Sequence, residues 1–224
     1  PFNIKDWARR EDDARWRFGV PPAGNANYAW IQHILSKLAP TGQAGVVMAN
    51  GSMSTNSGGE GQIRARIVEA DLVSAMVALP TQLFRSTGIP VCLWLFARDK
   101  QWRTDRRGQV LFLDARNLGF MVDRAERALS DDDIAKIADT YRAWRGEDGE
   151  YVDEAGFCKS ATLAEIKAAD YALTPGRHVG TAAVEDDGVD LDEKIRQLTG
   201  ELLAALDESA RLDVVVREQL GRLS

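Results

Sequence analysis

The sequence has few of the residues that build metal centres and disulfide frameworks. Its 224 residues include two cysteines, Cys92 and Cys158, and two histidines, His33 and His178. The cysteines are far apart and Cys92 stands within an apolar run, which suits a reducing compartment. The histidines are too scattered for a metal site. We therefore expect a cytoplasmic location and no metal.

Long apolar runs and an excess of positive charge are also absent. No run approaches the roughly 20 residues that span a bilayer, and the first residues lack the pattern of a signal peptide, so we expect a soluble protein. Lysine and arginine total 28, against 34 aspartate and glutamate residues, which gives a net charge of −6. Proteins that hold nucleic acid by bulk electrostatics carry a basic face. Any contact with DNA must therefore be local or shared with partners.

Helix and strand patterns alternate along the first half of the chain. Apolar residues at helical spacing predict a helix over residues 28–38 behind Asn27 as its cap. Further patterns predict a strand over 45–49, a helix over 63–70, and strands over 72–79, 91–97 and 110–114. The first strand, helix and second strand have the order of a βαβ unit, and the run at 45–49 is typical of a strand buried on both faces in a parallel sheet.

The connection between the second and third strands, from Leu79 to Val91, holds no helix-length pattern. A parallel partner needs a crossover of a dozen or more residues, so we predict that these two strands pair antiparallel. The result is an α/β fold with a mostly parallel sheet and an antiparallel edge hairpin.

The second half of the chain changes in character. Ser130, followed by three aspartates, caps a helix that runs to Trp144, and Thr162 caps a shorter helix. The final segment carries apolar residues three to four positions apart, interrupted by Ser209, which predicts one long amphipathic helix that needs a partner. These residues are Leu191, Ile195, Leu198, Leu202, Ala205, Leu212, Val216 and Leu223. We predict three regions, at 1–125, 126–189 and 190–224.

Three stretches of the sequence resemble one protein family. They are Pro1-Phe2 with the run RWRFGVPPAGNANYAWIQHIL at 15–35, LPTQLFRSTGIPVCLWLF at 79–96, and AGFCKSATLAEI at 155–166. They are similar to the DNA-methylating (M) subunit of type I restriction-modification systems. The resemblance implies a Rossmann-like sheet of an S-adenosylmethionine-dependent methyltransferase, followed by a helical C-terminal region. Region 1–125 would be the C-terminal half of the catalytic domain, 126–189 a helical and loop extension, and 190–224 the long helix.

The resemblance also implies a chemistry and a set of site residues. The family methylates the N6 amine of adenine, a poor nucleophile, through an Asn-Pro-Pro-aromatic loop on which the flipped-out base stacks. Pro1 and Phe2 match the second half of that loop, so we expect its Asn and first Pro to lie just upstream of Pro1 and the chain to be a fragment, inactive alone. Phe84 matches a second base-contacting aromatic, although an apolar residue just before a strand is more often core.

Three other groups of residues carry weaker signals. Asn50, Gly51 and Ser52 end a predicted strand, where ligands bind in open α/β sheets, so we expect them to line the cleft; a plain turn is the alternative. The basic residues Arg103, Arg106 and Arg107 could meet DNA phosphates, although solvated faces paired with acids are commoner. The glycine-rich residues 58–61 lack the pattern of a phosphate loop, which favours a mobile surface loop.

The family's partners follow from the same resemblance. We expect DNA as substrate, S-adenosylmethionine as cofactor with its main binding motifs upstream of this chain, and a complex with a specificity subunit, a restriction subunit and a second methyltransferase subunit. The alternative function is a non-catalytic assembly module that binds the specificity subunit through the C-terminal helix. An unrelated α/β nucleotide-binding protein is a third reading, should the aromatic run be coincidence.

Overall fold

The computed structural model describes residues 4–5, 7, 9–84, 88–181 and 191–221. The chain forms two units, Pro1–Ala183 and Val184–Ser224. The helices are α1 (Asn27–Lys37), α2 (Glu60–Glu69), α3 (Asp131–Trp144), α4 (Leu163–Ala168) and α5 (Leu191–Gly221). The strands are β1 (Gln43–Ala49), β2 (Val73–Ala78), β3 (Val91–Ala97), β4 (Gln109–Asp114), β5 (Phe120–Met121), β6 (Arg127–Ala128) and β7 (Cys158–Thr162).

The first unit is built on a five-stranded sheet in the order β1-β3-β2-β4-β7. The predicted antiparallel pairing of β2 with β3 is confirmed, with Ala78 opposite Cys92. β4 is parallel to β2, whereas β1 pairs antiparallel with β3 and β7 antiparallel with β4. The α/β fold class is confirmed. The sheet is not mostly parallel, because among the described strands it contains one parallel and three antiparallel ladders. The β2–β3 hairpin lies inside the sheet and not at its edge, because β1 and β4 pair on either side of it.

The prediction that β1 is buried on both faces of a parallel sheet is wrong. β1 lies at one end of the described sheet, and its burial alternates along the strand, with Val47 exposed. β1 and β2 do run in the same direction, but β3 folds back between them because its short connection to β2 forms a hairpin. By contrast, all six residues of β2 are buried, as predicted.

Helices cover both faces of the sheet. On one face, α1, α2 and α4 pack through residues such as Ile31, Ile67 and Ile166 against the buried rings of Trp94 and Phe112. On the other face, α3 packs through Trp144 and Ile137 against β2, β4 and β7. The first unit is therefore a three-layer α/β/α structure, whose central strands are buried by apolar contact on both sides.

The predicted helix caps are mostly confirmed. Ser130 and Thr162 each accept a hydrogen bond from the third backbone N–H of their helix, and the acid at that position completes a capping box in return. The exception is Asn27, which is already helical, so that Ala26 is the cap residue of α1 without a side-chain bond. Asn25 accepts from the Asn27 N–H at 3.0 Å and so supplies a carbonyl oxygen two residues earlier than predicted.

The strand directions define two edges of the sheet. β1, β2 and β4 run the same way, so their carboxyl ends share one edge, which we call the carboxyl edge. The connections that begin at Asn50, Leu79 and Ala115 leave from this edge. The connection from β3 to β4, residues 98–108, lies at the opposite edge. In open α/β sheets, ligands bind at the carboxyl edge.

Candidate active site at the carboxyl edge

Two of the predicted site residues, Pro1 and Phe2, lie outside the described residues. Phe84 is described, and it lies at the carboxyl edge in the connection that leaves β2. Its side chain is 42% exposed. A phenyl ring with this exposure is not a core residue, and its contact with the base stays a prediction.

The turn after β1 separates the three residues predicted to line the cleft. Asn50 and Gly51 reach the surface, whereas Ser52 is fully buried. The Ser52 Oγ accepts a hydrogen bond from the Trp94 Nε1 at 3.0 Å, and its carbonyl oxygen accepts one from the Tyr28 hydroxyl at 2.6 Å. Ser52 therefore anchors the turn to the buried side chains of Trp94 and Tyr28, and Asn50 and Gly51 form the solvent-accessible part of the turn.

The environment beneath this turn is apolar. Burial raises the pKa of the Cys92 thiol to about 11 and also raises the pKa of the Tyr28 hydroxyl. Both groups are therefore neutral at physiological pH. Above them, the Asn50 Oδ1 is buried and has no hydrogen-bond partner among the described residues. A buried acceptor without a donor is unusual in a native protein and is a candidate for an incoming donor.

Sequence reasoning missed two buried charged residues on α2, Glu60 and Arg64. The Arg64 guanidinium donates to the carbonyl oxygens of Tyr171 at 2.8 Å and Thr55 at 2.6 Å, and to the Asn56 Oδ1 at 3.0 Å. Arg64 thus joins the loop after β1 to the segment that follows α4. Both residues occupy the buried stripe of α2 at positions 60, 63, 64, 67 and 68, and charged residues within such a stripe are the signal that could have revealed them.

Glu60 is buried on α2 one turn before Arg64. Its Oε1 atom is buried without a hydrogen-bond partner in the described part of the chain. Burial raises the pKa of its carboxyl group to about 7, an effect that the nearby Arg64 charge only partly offsets. Glu60 is therefore a group whose charge changes near physiological pH.

Two of the glycine-rich residues 58–61 make close contacts at the start of α2. A Cβ atom on Gly61 would lie 2.2 Å from the Asn56 Oδ1, and one on Gly58 would lie 2.8 Å from the Pro22 Cβ, whereas one on Gly59 would meet nothing within 4 Å. Gly58 and Gly61 therefore permit close contact between neighbouring segments.

The segment after α4 supports the carboxyl edge from the side of β4. The ring of His178 stacks on Phe112 with 3.8 Å between ring centroids, and its Nε2 atom lies 2.8 Å from the Ala172 carbonyl oxygen. Burial lowers the pKa of His178. The Leu173 N–H donates to the Met53 carbonyl oxygen at 2.9 Å. This segment therefore fastens the turn that carries Asn50.

The three arginines predicted to meet DNA phosphates lie at the edge opposite to Phe84. Arg103 donates to the Glu147 carbonyl oxygen at 3.2 Å. Arg106 donates to the Trp144 carbonyl oxygen at 2.5 Å and stacks over the Trp144 ring. Arg107 forms an ion pair with Asp105. The structure does not bring these arginines together with the residues of the carboxyl edge.

Several cavities open on the described surface. A cavity of about 220 Å³ lies beside α1 and is lined by apolar, aromatic and basic side chains, among them Trp7, Trp16 and Arg15. Two larger cavities, of about 490 and 420 Å³, include Asp170 in their lining. No group of metal-ligating side chains occurs within the described ranges. In those same ranges, no helix combines the length and apolar character needed to cross a bilayer.

Comparison with known proteins identifies the relatives of this chain. The sequence model of the N-6 DNA Methylase family matches residues 1–187. The chain is 52% identical to the type I restriction enzyme HindI methylase subunit of Haemophilus influenzae, over 99% of the chain and 49% of that protein. It is 42% identical to the MjaIX methylase subunit of Methanocaldococcus jannaschii, over 100% of the chain and 41% of that protein. The chain thus spans about half the length of the curated relatives it matches.

Solved structures show the same fold. A type I restriction-modification methyltransferase subunit from Streptococcus thermophilus superposes with a TM-score of 0.65 at 26% identity, over 76% of this chain and 34% of that one. The M protein of the type I restriction enzyme EcoKI superposes with a TM-score of 0.56 at 17% identity, over 86% of this chain and 44% of that one.

Proposed function

Because the chain belongs to the N-6 DNA methylase family, we propose that it is part of the modification subunit of a type I restriction-modification enzyme. That enzyme transfers a methyl group from S-adenosylmethionine to the N6 atom of adenine in DNA. The observation that carries the proposal is an exposed aromatic side chain, Phe84, at the carboxyl edge of a sheet that belongs to this family. The cytoplasm, where DNA is accessible, is the corresponding location.

The role of Phe84 follows from the substrate. The N6 amine of adenine lies inside the duplex, so an enzyme has to extrude the base before it can react. An extruded base loses its stacking neighbours, and an aromatic side chain replaces them at about 1–3 kcal/mol per base. Phe84 supplies such a face, and Phe2, with Pro1, supplies the other.

Asn50 extends this role to hydrogen bonding. Its Oδ1 atom lacks a donor among the described residues, and an extruded adenine offers N–H donors along its edge. Asn50 and Gly51 therefore line the cleft, while Ser52 fixes the turn through Trp94.

S-adenosylmethionine supplies the methyl group, and this chain spans about half the length of the relatives it matches. The cavity beside α1 has no acidic residue in its described lining to hold the cofactor. We propose that residues outside this chain bind the cofactor. The isolated chain will then neither bind S-adenosylmethionine with micromolar affinity nor methylate DNA, which titration calorimetry checks directly.

The experiment for the proposed function uses the assembled enzyme and DNA that contains its methylation site. Phe84→Ala is expected to lower kcat/KM for methyl transfer about 10- to 100-fold, since the stacking energy of one base is lost. Phe84→Tyr keeps the ring and is the matched control. Equal methylation by the Phe84→Ala and wild-type enzymes would remove Phe84 from the site, and a wild-type enzyme that leaves adenine N6 unmodified would refute the function.

α5 favours a second role, as an assembly module. Its apolar side chains recur alternately three and four residues apart, as in a coiled coil, and those that are described are 47–60% exposed. These residues are Ile195, Leu198, Leu202, Leu212 and Val216, with Ala205 and Ser209 at the intervening positions. We propose that this stripe packs on helices of the specificity subunit, and that the restriction subunit and a second methyltransferase subunit complete the complex.

The assembly role is tested by charge placed in the stripe. Leu198→Asp with Leu202→Asp is expected to abolish co-purification with the specificity subunit, because two charges would be buried in an apolar contact. The matched control is Gln197→Asp with Glu201→Asp, which alters neighbouring positions off the stripe. Undiminished co-purification of the stripe variant would reject α5 as the contact.

A further inference from the structure

A small hairpin projects from the carboxyl edge beside Phe84. It consists of β5 and β6 with their turn, residues 118–128, and lies between β4 and α3. The Arg127 N–H donates to the Gln82 carbonyl oxygen at 2.9 Å. Gln82 belongs to the same connection as Phe84, so the hairpin is fixed to the segment that carries the candidate base-stacking ring.

The base of the hairpin is firmly built. Gly119 has a φ of +84°, and a Cβ atom there would lie 2.5 Å from the Ala128 carbonyl oxygen. Only glycine therefore permits the close approach of the two strands at this position. The Arg127 guanidinium donates to the carbonyl oxygens of Leu118 at 3.2 Å and Gly119 at 3.1 Å.

The turn is equally well ordered by hydrogen bonds. The Asp123 Oδ1 accepts from the backbone N–H groups of Ala125 at 2.7 Å and Glu126 at 2.8 Å. These bonds lower the pKa of the Asp123 carboxyl group. The Val122 N–H donates to the Glu126 carbonyl oxygen at 2.8 Å. The hairpin therefore holds its shape without an apolar core of its own.

This rigid element presents three consecutive apolar side chains to solvent. Phe120, Met121 and Val122 are 54%, 42% and 57% exposed. Neighbouring residues of a strand point to opposite faces, so exposure of all three means that the other described residues leave both sides of the hairpin uncovered. Exposed apolar clusters on a defined support mark interaction sites.

We propose that this hairpin enters a groove of the DNA beside the target adenine and that its apolar side chains wedge apart the base stack there. The inference rests on the proposed function. A two-stranded ribbon fits the major groove, which is about 12 Å wide, and inserted Phe or Met side chains unstack base steps. DNA is the occupant because the hairpin is hydrogen-bonded through Arg127 to Gln82, two residues before Phe84 in the connection proposed to meet the target base. The side chains of DRAER at 123–127 add no net negative charge that would repel the phosphates.

The test uses the assembled enzyme and a duplex that carries its methylation site with 2-aminopurine in place of the target adenine. Fluorescence of 2-aminopurine rises when the base leaves the stack. The variant is Phe120→Ser with Met121→Ser, and the matched control is Val152→Ser, which removes an exposed apolar side chain (71%) outside the hairpin. We expect the hairpin variant to lose at least 10-fold in the extruded population and roughly 10- to 100-fold in kcat/KM on adenine DNA, with the control unchanged.

A second substrate separates wedging from general damage. A mismatch at the target base pair makes extrusion easier, so the hairpin variant should recover methylation on mismatched DNA. Equal fluorescence and rates for the variant and wild type would overturn the inference while leaving the proposed function intact, and so would loss of subunit assembly, which would make the hairpin a protein contact. Failure of the wild-type enzyme to methylate adenine would instead reject the proposed function.

Discussion

Replacing Glu60 by glutamine will make the stability of the chain less dependent on pH. The substitution keeps the shape of the side chain and removes its ionisation. Glu60 is buried on α2, and its Oε1 atom finds no hydrogen-bond donor within the described residues. The three hydrogen bonds of Arg64 go to other groups, so the substitution leaves them in place.

The magnitude follows from the two pKa values of Glu60, about 7 in the folded chain against 4.5 as the reference for the unfolded chain. The folded state holds the proton more tightly. The resulting stabilisation is complete below pH 4.5 and is lost as the pH rises through 7. The difference between the two pKa values corresponds to about 3 kcal/mol. Wild type should therefore lose about 3 kcal/mol relative to Glu60→Gln between pH 4.5 and pH 8.5.

Urea unfolding followed by tryptophan fluorescence, repeated across this pH range, measures the difference in unfolding free energy between wild type and Glu60→Gln. The control is Glu165→Gln, the same substitution at a carboxyl whose pKa is lowered to about 2 by Lys159 and the Thr162 cap. The stabilisation by Glu165 is present above pH 4.5 and is lost only as the pH falls through 2. The free-energy difference between wild type and Glu165→Gln should therefore stay nearly constant from pH 4.5 to 8.5. A constant free-energy difference between wild type and Glu60→Gln from pH 4.5 to 8.5 would refute the reasoning.

Three further changes test the supports of the carboxyl edge. Ser52→Ala leaves the buried Trp94 Nε1–H without an acceptor, and we expect a loss of about 1–3 kcal/mol in urea unfolding; an unchanged midpoint would contradict that bond. The pKa of His178 is lowered by burial from 6.5, so its stabilisation is present above pH 6.5 and is lost as the pH falls. Wild type should therefore lose more stability than His178→Phe between pH 7.5 and pH 5; an equal fall in Tm for the two proteins in thermal melts at these pH values would contradict this. Gly119→Ala forces a Cβ atom onto the Ala128 carbonyl oxygen and should speed amide exchange across residues 118–128, with unaltered protection as the contrary result.

The burial of β2 and the direction of β3 could be predicted from the sequence because both depend on local features. β2 is a continuous apolar run, and the segment from Leu79 to Val91 is too short for a crossover. The position of β1 could not be predicted in this way. An apolar run of five residues does not show whether another strand will insert beside it, nor whether a helix will cover both of its faces.

The candidate site was also predicted only in part from the sequence. The resemblance to a family singled out Phe84, whose exposure at the carboxyl edge agrees with a ligand-facing role. It gave no sign that Ser52 would be buried under Tyr28 and Trp94, because these contacts join residues far apart in the sequence. The contacts of Arg64 could not be predicted for the same reason, since its partner Tyr171 lies more than one hundred positions away.

The insertion of β3 between β1 and β2 also determines the order in which the chain can fold during synthesis. Gln43 pairs with Ala97 and Ala49 with Val91, so β1 leaves the ribosome long before its partner strand exists. The β2–β3 hairpin has much closer partners, with Ala78 opposite Cys92, and local pairs of this kind form first because less chain entropy is lost. The backbone N–H and C=O groups of β1 that pair with β3 therefore stay without that partner until β3 has been made, and unpaired groups of this kind can pair with a wrong strand.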